Sequence, residues 1–307
     1  MAHPRRTIRP AIVALLVALL SIGSSTKLVQ AATGTAAPSP STEVESLPQA
    51  RVYLFRGALG PIFSTGMDRL AERLTHAGVT ADVYEFTLCR LVAQRVIANY
   101  RDTPAPIILI GHSMGGLCAL VLADILGKEN IPVSLVVTID PAHASPSVPL
   151  NVERFINIFL SDGVLGGGDI VAEPGYRGHY ASFDLKLHKE ISHINIEKAD
   201  DIQAQLVDMI TQLPRVPRTE SDAVPLRYLV PPDSKVELWD SGIRFPARRG
   251  DTLEHVAALY HLQIWSLSQV NPLPENTPLV VGQEIVIPRH LLPAAITAPA
   301  AAAAPAR

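Results

Sequence analysis

The sequence predicts an α/β fold with a mostly parallel sheet, followed by a much smaller α+β module. Three observations predict it. Short β-prone runs alternate with segments of helical spacing, the pattern of a sheet covered by helices on both faces. One run, Pro106-Ile107-Ile108-Leu109-Ile110, is apolar without alternation, as a strand buried on both faces is. Past a proline-dense stretch the pattern changes to two short helices and a closing strand within residues 244–289.

Composition sets the limits. The 307 residues are 48 % hydrophobic and 18 % charged, enough apolar material for a core, so global disorder is excluded. A net charge of −3 gives no whole-chain electrostatic case for nucleic acid. Two cysteines exclude a disulfide-dense scaffold and a multi-cysteine zinc site. Residues 1–31 read as a secretory signal: Arg5, Arg6 and Arg9, an apolar run, then a polar stretch ending in the small residues Ala31 and Ala32. The run is short for a permanent membrane span, and the paired arginines give it a faint likeness to twin-arginine signals. Residues 32–49 form an Ala/Ser/Thr/Pro spacer and residues 290–307 an Ala/Pro-rich disordered tail.

Between these ends the elements follow in order. Arg51-Val52-Tyr53-Leu54-Phe55 is the first strand, and Met67, Leu70, Ala71 and Leu74 line one face of the helix that follows, which stops at Gly78. Asp82-Val83-Tyr84-Glu85-Phe86 is a second strand, residues 91–100 a second helix and residues 106–110 the central strand. Residues 115–126 give an apolar helix stopped by Gly127. Residues 133–139 and 155–160 give two more strands, and Ile202, Leu206, Met209, Ile210 and Leu213 line a last helix. A domain is expected over residues 50–213, then a proline-rich linker over 214–243. In such sheets the site lies at the carboxyl ends of the strands.

Gly111-His112-Ser113-Met114-Gly115 fits G-x-S-x-G and lies directly between the central strand and a helix, the context that lifts a serine hydroxyl clear of a sheet. With Gly116, the motif makes residues 51–212 resemble an α/β-hydrolase of the small lipase or esterase kind. That resemblance implies a Ser-Asp-His order of catalytic residues. Ser113 is the nucleophile, and His193, in Ser192-His193-Ile194-Asn195 before the last helix, is the base, with His188 its competitor. His112 is expected to face away, and His179 has no supporting context. The acid is Asp140, at the end of a strand in Asp140-Pro141, with Asp162 at the end of the next strand as alternative. Backbone N–H groups of Met114 and Ala58 are the candidate oxyanion donors. Arg56-Gly57 stands where lipases often carry His-Gly, a departure that affects local geometry. The short, Gly-rich stretch between Asp140 and His193 leaves little room for a lid, so an open, shallow site is expected. Cys89 and Cys118 are read as two separate small core residues, a bridge being the alternative that export would permit.

Residues 244–289 resemble a LysM domain through Gly250-Asp251-Thr252-Leu253, Tyr260, Asn271, Leu279, Gly282-Gln283 and Ile285-Val286-Ile287-Pro288. The resemblance implies a βααβ fold and a ligand made of N-acetylglucosamine units, peptidoglycan first. It places Asp251, Thr252, Asn271 and Pro272 near the sugar, although Asp251 or Thr252 can equally cap a helix. Taken together, these readings describe an exported serine hydrolase acting on an ester, held to the cell wall or in the periplasm by its LysM domain. No metal or organic cofactor, nucleic-acid partner or permanent membrane span is implied. The competing readings are a non-catalytic wall-binding protein built on a hydrolase scaffold, and a wall-modifying deacetylase or peptidase.

Overall fold

A computed structural model describes residues 49–58, 60–213 and 223–289. The expected signal, nearly all of the spacer, the tail and part of the expected linker lie outside the described residues. Strand β1 (Arg51–Arg56) leads through a single-turn α1 (Gly60–Phe63) to α2 (Thr65–His76). Then come β2 (Thr80–Glu85), α3 (Cys89–Asp102), β3 (Ile107–His112), α4 (Met114–Lys128), β4 (Leu135–Ile139) and β5 (Arg154–Phe159). β6 (His179–Asp184), α5 (Asp200–Gln212) and β7 (Leu226–Leu229) complete a seven-stranded sheet of order β2-β1-β3-β4-β5-β6-β7. Every neighbouring pair in it is parallel.

Strand alternation divides the core. Val52, Leu54, Ile108 and Ile110 face α2 and α5, where they meet Met67, Leu70, Leu74, Ile202 and Leu206. Their neighbours Tyr53, Phe55, Ile107 and Leu109 face α3 and α4, meeting Val92, Val96, Ala119 and Leu122. A strand sandwiched between helix layers must be apolar on both sides, which is why β3 is buried along its whole length. On the α3/α4 side, Cys89 and Cys118 are joined by a disulfide with Cα atoms 5.5 Å apart, in place of the two separate thiols expected. Packing of α3 on α4 brings the two together across 29 positions of sequence.

The last part of the chain folds as β8 (Ser241–Pro246), α6 (Leu253–Tyr260), α7 (Ile264–Val270) and β9 (Glu284–Arg289), with β8 and β9 antiparallel. This is the βααβ order expected. Its own core gathers Leu253, Val256, Leu267, Leu279, Ile285 and Ile287. No described helix is long and apolar enough to cross a membrane.

The stretch expected to be a linker is not one where it is described. Residues 226–229 form the seventh strand, and Val230, Val236, Leu238 and Trp239 are buried in the sheet core. Trp239 lies 6.1 Å from Phe183 of β6, 5.3 Å from Tyr228 of β7 and 5.9 Å from Trp265 of α7, measured between ring centres. Asp240 is fully buried, with His179 Nδ1 at 2.6 Å and Arg154 and Arg289 each at 3.5 Å. Gln269 of α7 accepts from the backbone N of Leu229 at 3.0 Å and donates to its O at 2.7 Å. Val224 and Gly242 exchange backbone hydrogen bonds of 2.8 and 2.7 Å. The sheet and the βααβ module therefore share one interior.

Candidate active site

The turn from β3 to α4 carries Ser113 at φ 56° and ψ −123°. An L-residue rarely adopts such a backbone, at a cost on the order of 1–3 kcal/mol, and it persists only where neighbours over-determine it. They do so here: Ser113 N donates to Ile139 O at 3.0 Å, while Gly116 N and Ala142 N donate to Ser113 O at 2.9 and 3.2 Å. The glycines at either end of the motif are steric necessities, because a Cβ on Gly111 would collide with the Gly115 backbone and one on Gly115 with Phe55 O. Ser113 thus stands at the carboxyl end of the central strand, at the positive end of α4.

Two further residues meet it. Asp140 leaves the end of β4 at φ 42° and is fully buried, its Oδ1 accepting from Leu160 N at 3.1 Å. Its Oδ2 lies 2.6 Å from His193 Nδ1, and His193 Nε2 lies 3.1 Å from Ser113 Oγ. An ionised carboxylate only accepts, so Nδ1 carries the proton and Nε2 is left to accept from the serine hydroxyl. The structure therefore brings Ser113, His193 and Asp140 into one line of hydrogen bonds.

The alternatives stand elsewhere. Asp162 is exposed and pairs with Lys189 at 3.3 Å. His188 is buried, with Nδ1 3.0 Å from Glu190 Oε1. His179 opens β6 and serves the buried Asp240. His112, expected to face away, instead lies against the site: its ring centre is 4.8 Å from that of His193, and its Nε2 is 2.8 Å from His193 O. Burial, and then the neighbouring His193, push the His112 pKa down to about 4.

Ala58, Met114, Ser113 and His193 line a cavity of about 370 Å³ together with Ser64, His112, Leu165 and Ile194. Apart from the reacting groups and the almost fully buried Ser64 and His112, its lining is apolar. Leu165, from the Gly-rich stretch, stands at 67 % exposure on its rim, so that stretch shapes the cavity instead of leaving the site bare. Beside Ala58, Gly57 N donates to Ser64 Oγ at 3.1 Å. Arg56, the departure noted in the sequence, ties the loop's base to Asp68 (Nε to Oδ2, 2.9 Å) and to Glu85 (2.7 Å).

The residues expected to face a sugar are largely occupied within the module. Asp251 Oδ2 accepts from Arg248 N at 2.7 Å, and Thr252 Oγ1 caps α6 by accepting from His255 N at 3.0 Å. Asn271, buried, donates to Leu267 O and Val286 O and accepts from Val286 N, bracing α7 against β9. Pro272 is exposed. Asp251 and Asn271 are both buried and held by hydrogen bonds within the module.

Comparison with known proteins places these features. The alpha/beta hydrolase family profile matches residues 52–265 and the LysM domain profile residues 247–288. The chain belongs to the alpha/beta hydrolase family and carries a C-terminal LysM domain. No curated protein matches it. Among solved structures it is similar to the esterase domain of a Rhodothermus marinus protein, at 15 % identity over 55 % of this chain and 89 % of that one, with a TM-score of 0.38. It is also similar to an alpha/beta superfamily protein from Xanthomonas campestris pv. campestris, at 19 % identity over 38 % and 74 % of the two chains, TM-score 0.28. A third is a thioesterase of the prodiginine pathway of Streptomyces coelicolor, at 20 % identity over 32 % and 42 %, TM-score 0.23.

Proposed function

We propose that this protein is an exported serine hydrolase that cleaves carboxylic esters and is held at peptidoglycan by its LysM domain. The observation that carries the catalytic half is the hydrogen-bonded line from Asp140 through His193 to Ser113, opening into an apolar cavity. In this reading His193 Nε2 takes the hydroxyl proton as Ser113 Oγ attacks the ester carbonyl. Backbone N–H groups of Met114 and Ala58 meet the developing oxyanion, helped by the positive end of α4. His193 then passes the proton to the departing alcohol, and water repeats the sequence on the acyl-serine. Asp140 holds the imidazole in the tautomer that this requires. The apolar walls at Leu165 and Ile194 suit an acyl chain better than a charged peptide. Export rests on the arginine-led apolar start of the chain, and wall binding on the LysM domain.

The test is a panel of p-nitrophenyl esters of graded acyl length, with fluorophosphonate labelling and with Ser113→Ala as control. Activity and labelling lost in the alanine variant, by on the order of 10⁶ in rate, support the reading. A variant as active as the wild type defeats it. Sedimentation of the full chain with insoluble peptidoglycan tests the other half, and a chain that stays in the supernatant counts against wall anchoring. A glycan acetyl ester in the same panel separates a wall-modifying deacetylase from a general esterase.

A further inference from the structure

The strand residue before Ser113 is tied to both halves of the catalytic machinery. Gly57 N donates to Ser64 Oγ at 3.1 Å, Ser64 Oγ lies 2.7 Å from His112 Nδ1, and His112 Nε2 lies 2.8 Å from His193 O. Both ends of this chain are backbone groups with fixed roles: an amide N–H can only donate, and a carbonyl can only accept. Nε2 must therefore carry a proton. Ser64, already accepting from Gly57, has its own hydroxyl proton to give to Nδ1. The whole run then has one direction and His112 one tautomer. Ser64 and His112 are 1 % and 2 % exposed, so water does not compete for either. The low pKa of His112, about 4, agrees with a ring that stays uncharged.

What lies at the two ends gives the chain its meaning. Gly57 precedes Ala58, which lines the cavity together with Met114. His193 is the residue whose ring must stay 3.1 Å from Ser113 Oγ. A second tie joins the same two segments, since Gln203 Nε2 donates to Gly66 O at 2.9 Å and to Glu197 O at 2.8 Å. The His112 ring also packs against that of His193, centre to centre 4.8 Å with the planes tilted by 38°. A buried histidine with only a packing role would need partners, but those partners need not be the base's own carbonyl and the oxyanion loop.

We infer that His112 is a positioning residue, coupling the backbone of His193 to the Gly57–Ala58 loop through Ser64 so that base and oxyanion donor are set by one hydrogen-bonded chain. The inference rests on the hydrolase reading above. An uncharged ring beside His193 also adds no repulsion when His193 takes up the serine proton.

The experiment compares the full-length wild type with His112→Leu, His112→Gln and Ser64→Ala. Each is checked for folding by thermal melting, then for kcat and KM on a short-chain p-nitrophenyl ester. A misplacement of reacting groups near 1 Å costs about 10²-fold, so His112→Leu should lose about that factor in kcat with KM unchanged. Glutamine can present an N–H and an acceptor oxygen in place of the two ring nitrogens, so His112→Gln should recover most of the rate. Ser64→Ala, which removes both hydrogen bonds of the hydroxyl, from Gly57 N and to His112 Nδ1, should lose about thirtyfold, the value of two hydrogen bonds. It also supplies the reading if His112→Leu does not fold. Nitrogen NMR of the wild-type imidazoles should show His112 protonated at Nε2 alone. Full kcat in folded His112→Leu or Ser64→Ala, a loss confined to KM, no rescue by glutamine, or a proton on Nδ1 overturns the inference. A wild type that neither turns over esters nor reacts with fluorophosphonate instead overturns the hydrolase reading, and the NMR tautomer still reports on the chain of hydrogen bonds.

Discussion

Trp239→Ala is the substitution that asks most of the structure. Trp239 is fully buried, in a stretch whose prolines suggest a linker, and its ring touches the sheet at Phe183 and Tyr228 and the LysM domain at Trp265. Truncating a buried tryptophan costs about 3–5 kcal/mol, and the lost aromatic pairs add about 0.5–1.5 kcal/mol. For a protein of this size each kcal/mol moves Tm by about 2–4 °C, so a combined loss of about 5 kcal/mol lowers Tm by roughly 10–20 °C. The protein has two tryptophans and both stand at this junction, so tryptophan fluorescence, excited beyond the tyrosine band, reports on it. Wild type should melt in one transition, with circular dichroism and fluorescence coinciding. In Trp239→Ala both signals should move down together, the remaining emission coming from Trp265. A wild type that melts in two separate steps, or a variant within about 3 °C of it, would show that the two domains do not share an interior. By the same reasoning, a chain ended after Leu213 should not fold, since it lacks β7 and the buried Val230, Leu238 and Trp239.

Other expectations follow from the site and its surroundings. Asp140→Asn should lower ester turnover by about 10⁴, as loss of the orienting carboxylate does in the best-studied triad, while Asp162→Asn, on the surface, should leave it within about twofold. His112 should make the fold acid-sensitive: its pKa is held near 4 when folded and returns to about 6.5 when unfolded. Between those values the unfolded chain binds a proton that the folded one refuses, so the unfolding free energy from urea titration should fall by up to about 3 kcal/mol as pH drops from about 6.5 to 4. His112→Gln should flatten that slope. Replacing Cys89 and Cys118 together by alanine removes a cross-link spanning 29 positions and should cost about 3–4 kcal/mol in urea unfolding.

Much of this was legible in the sequence because it rests on periodicity and strand ends. The apolar run of β3 and the stripes of α2 and α5 announce themselves, and Ser113 and Asp140 are readable because strand termini carry them. β6 is hidden because His179-Tyr180-Ala181-Ser182-Phe183-Asp184 lacks an apolar run; its polar members are satisfied by partners distant in sequence, such as Asp240. β7 is hidden because Leu226 and Tyr228 give only two turns of alternation among prolines. The Cys89–Cys118 bond depends on how α3 lies on α4, which no local pattern states. His112 is invisible for a similar reason: its partner is a backbone carbonyl 81 positions away, and carbonyls have no sequence signature. In the LysM domain the core positions are readable, yet Asn271 turns inward because α7 needs a brace against β9.

The two hydrogen bonds from Gln269 to Leu229, with the Val224–Gly242 pair beside them, fall on the outermost strand of the sheet. An open parallel sheet ends in a row of unpaired amide and carbonyl groups, ready to recruit a strand from another molecule. Here the glutamine side chain meets one residue's donor and acceptor together, and the hairpin strand blocks the approach from the other end. The LysM domain thus also guards the exposed border of the sheet, and a chain stripped of it would bare that edge and the buried ring of Trp239 together, so self-association and loss of stability should appear at once.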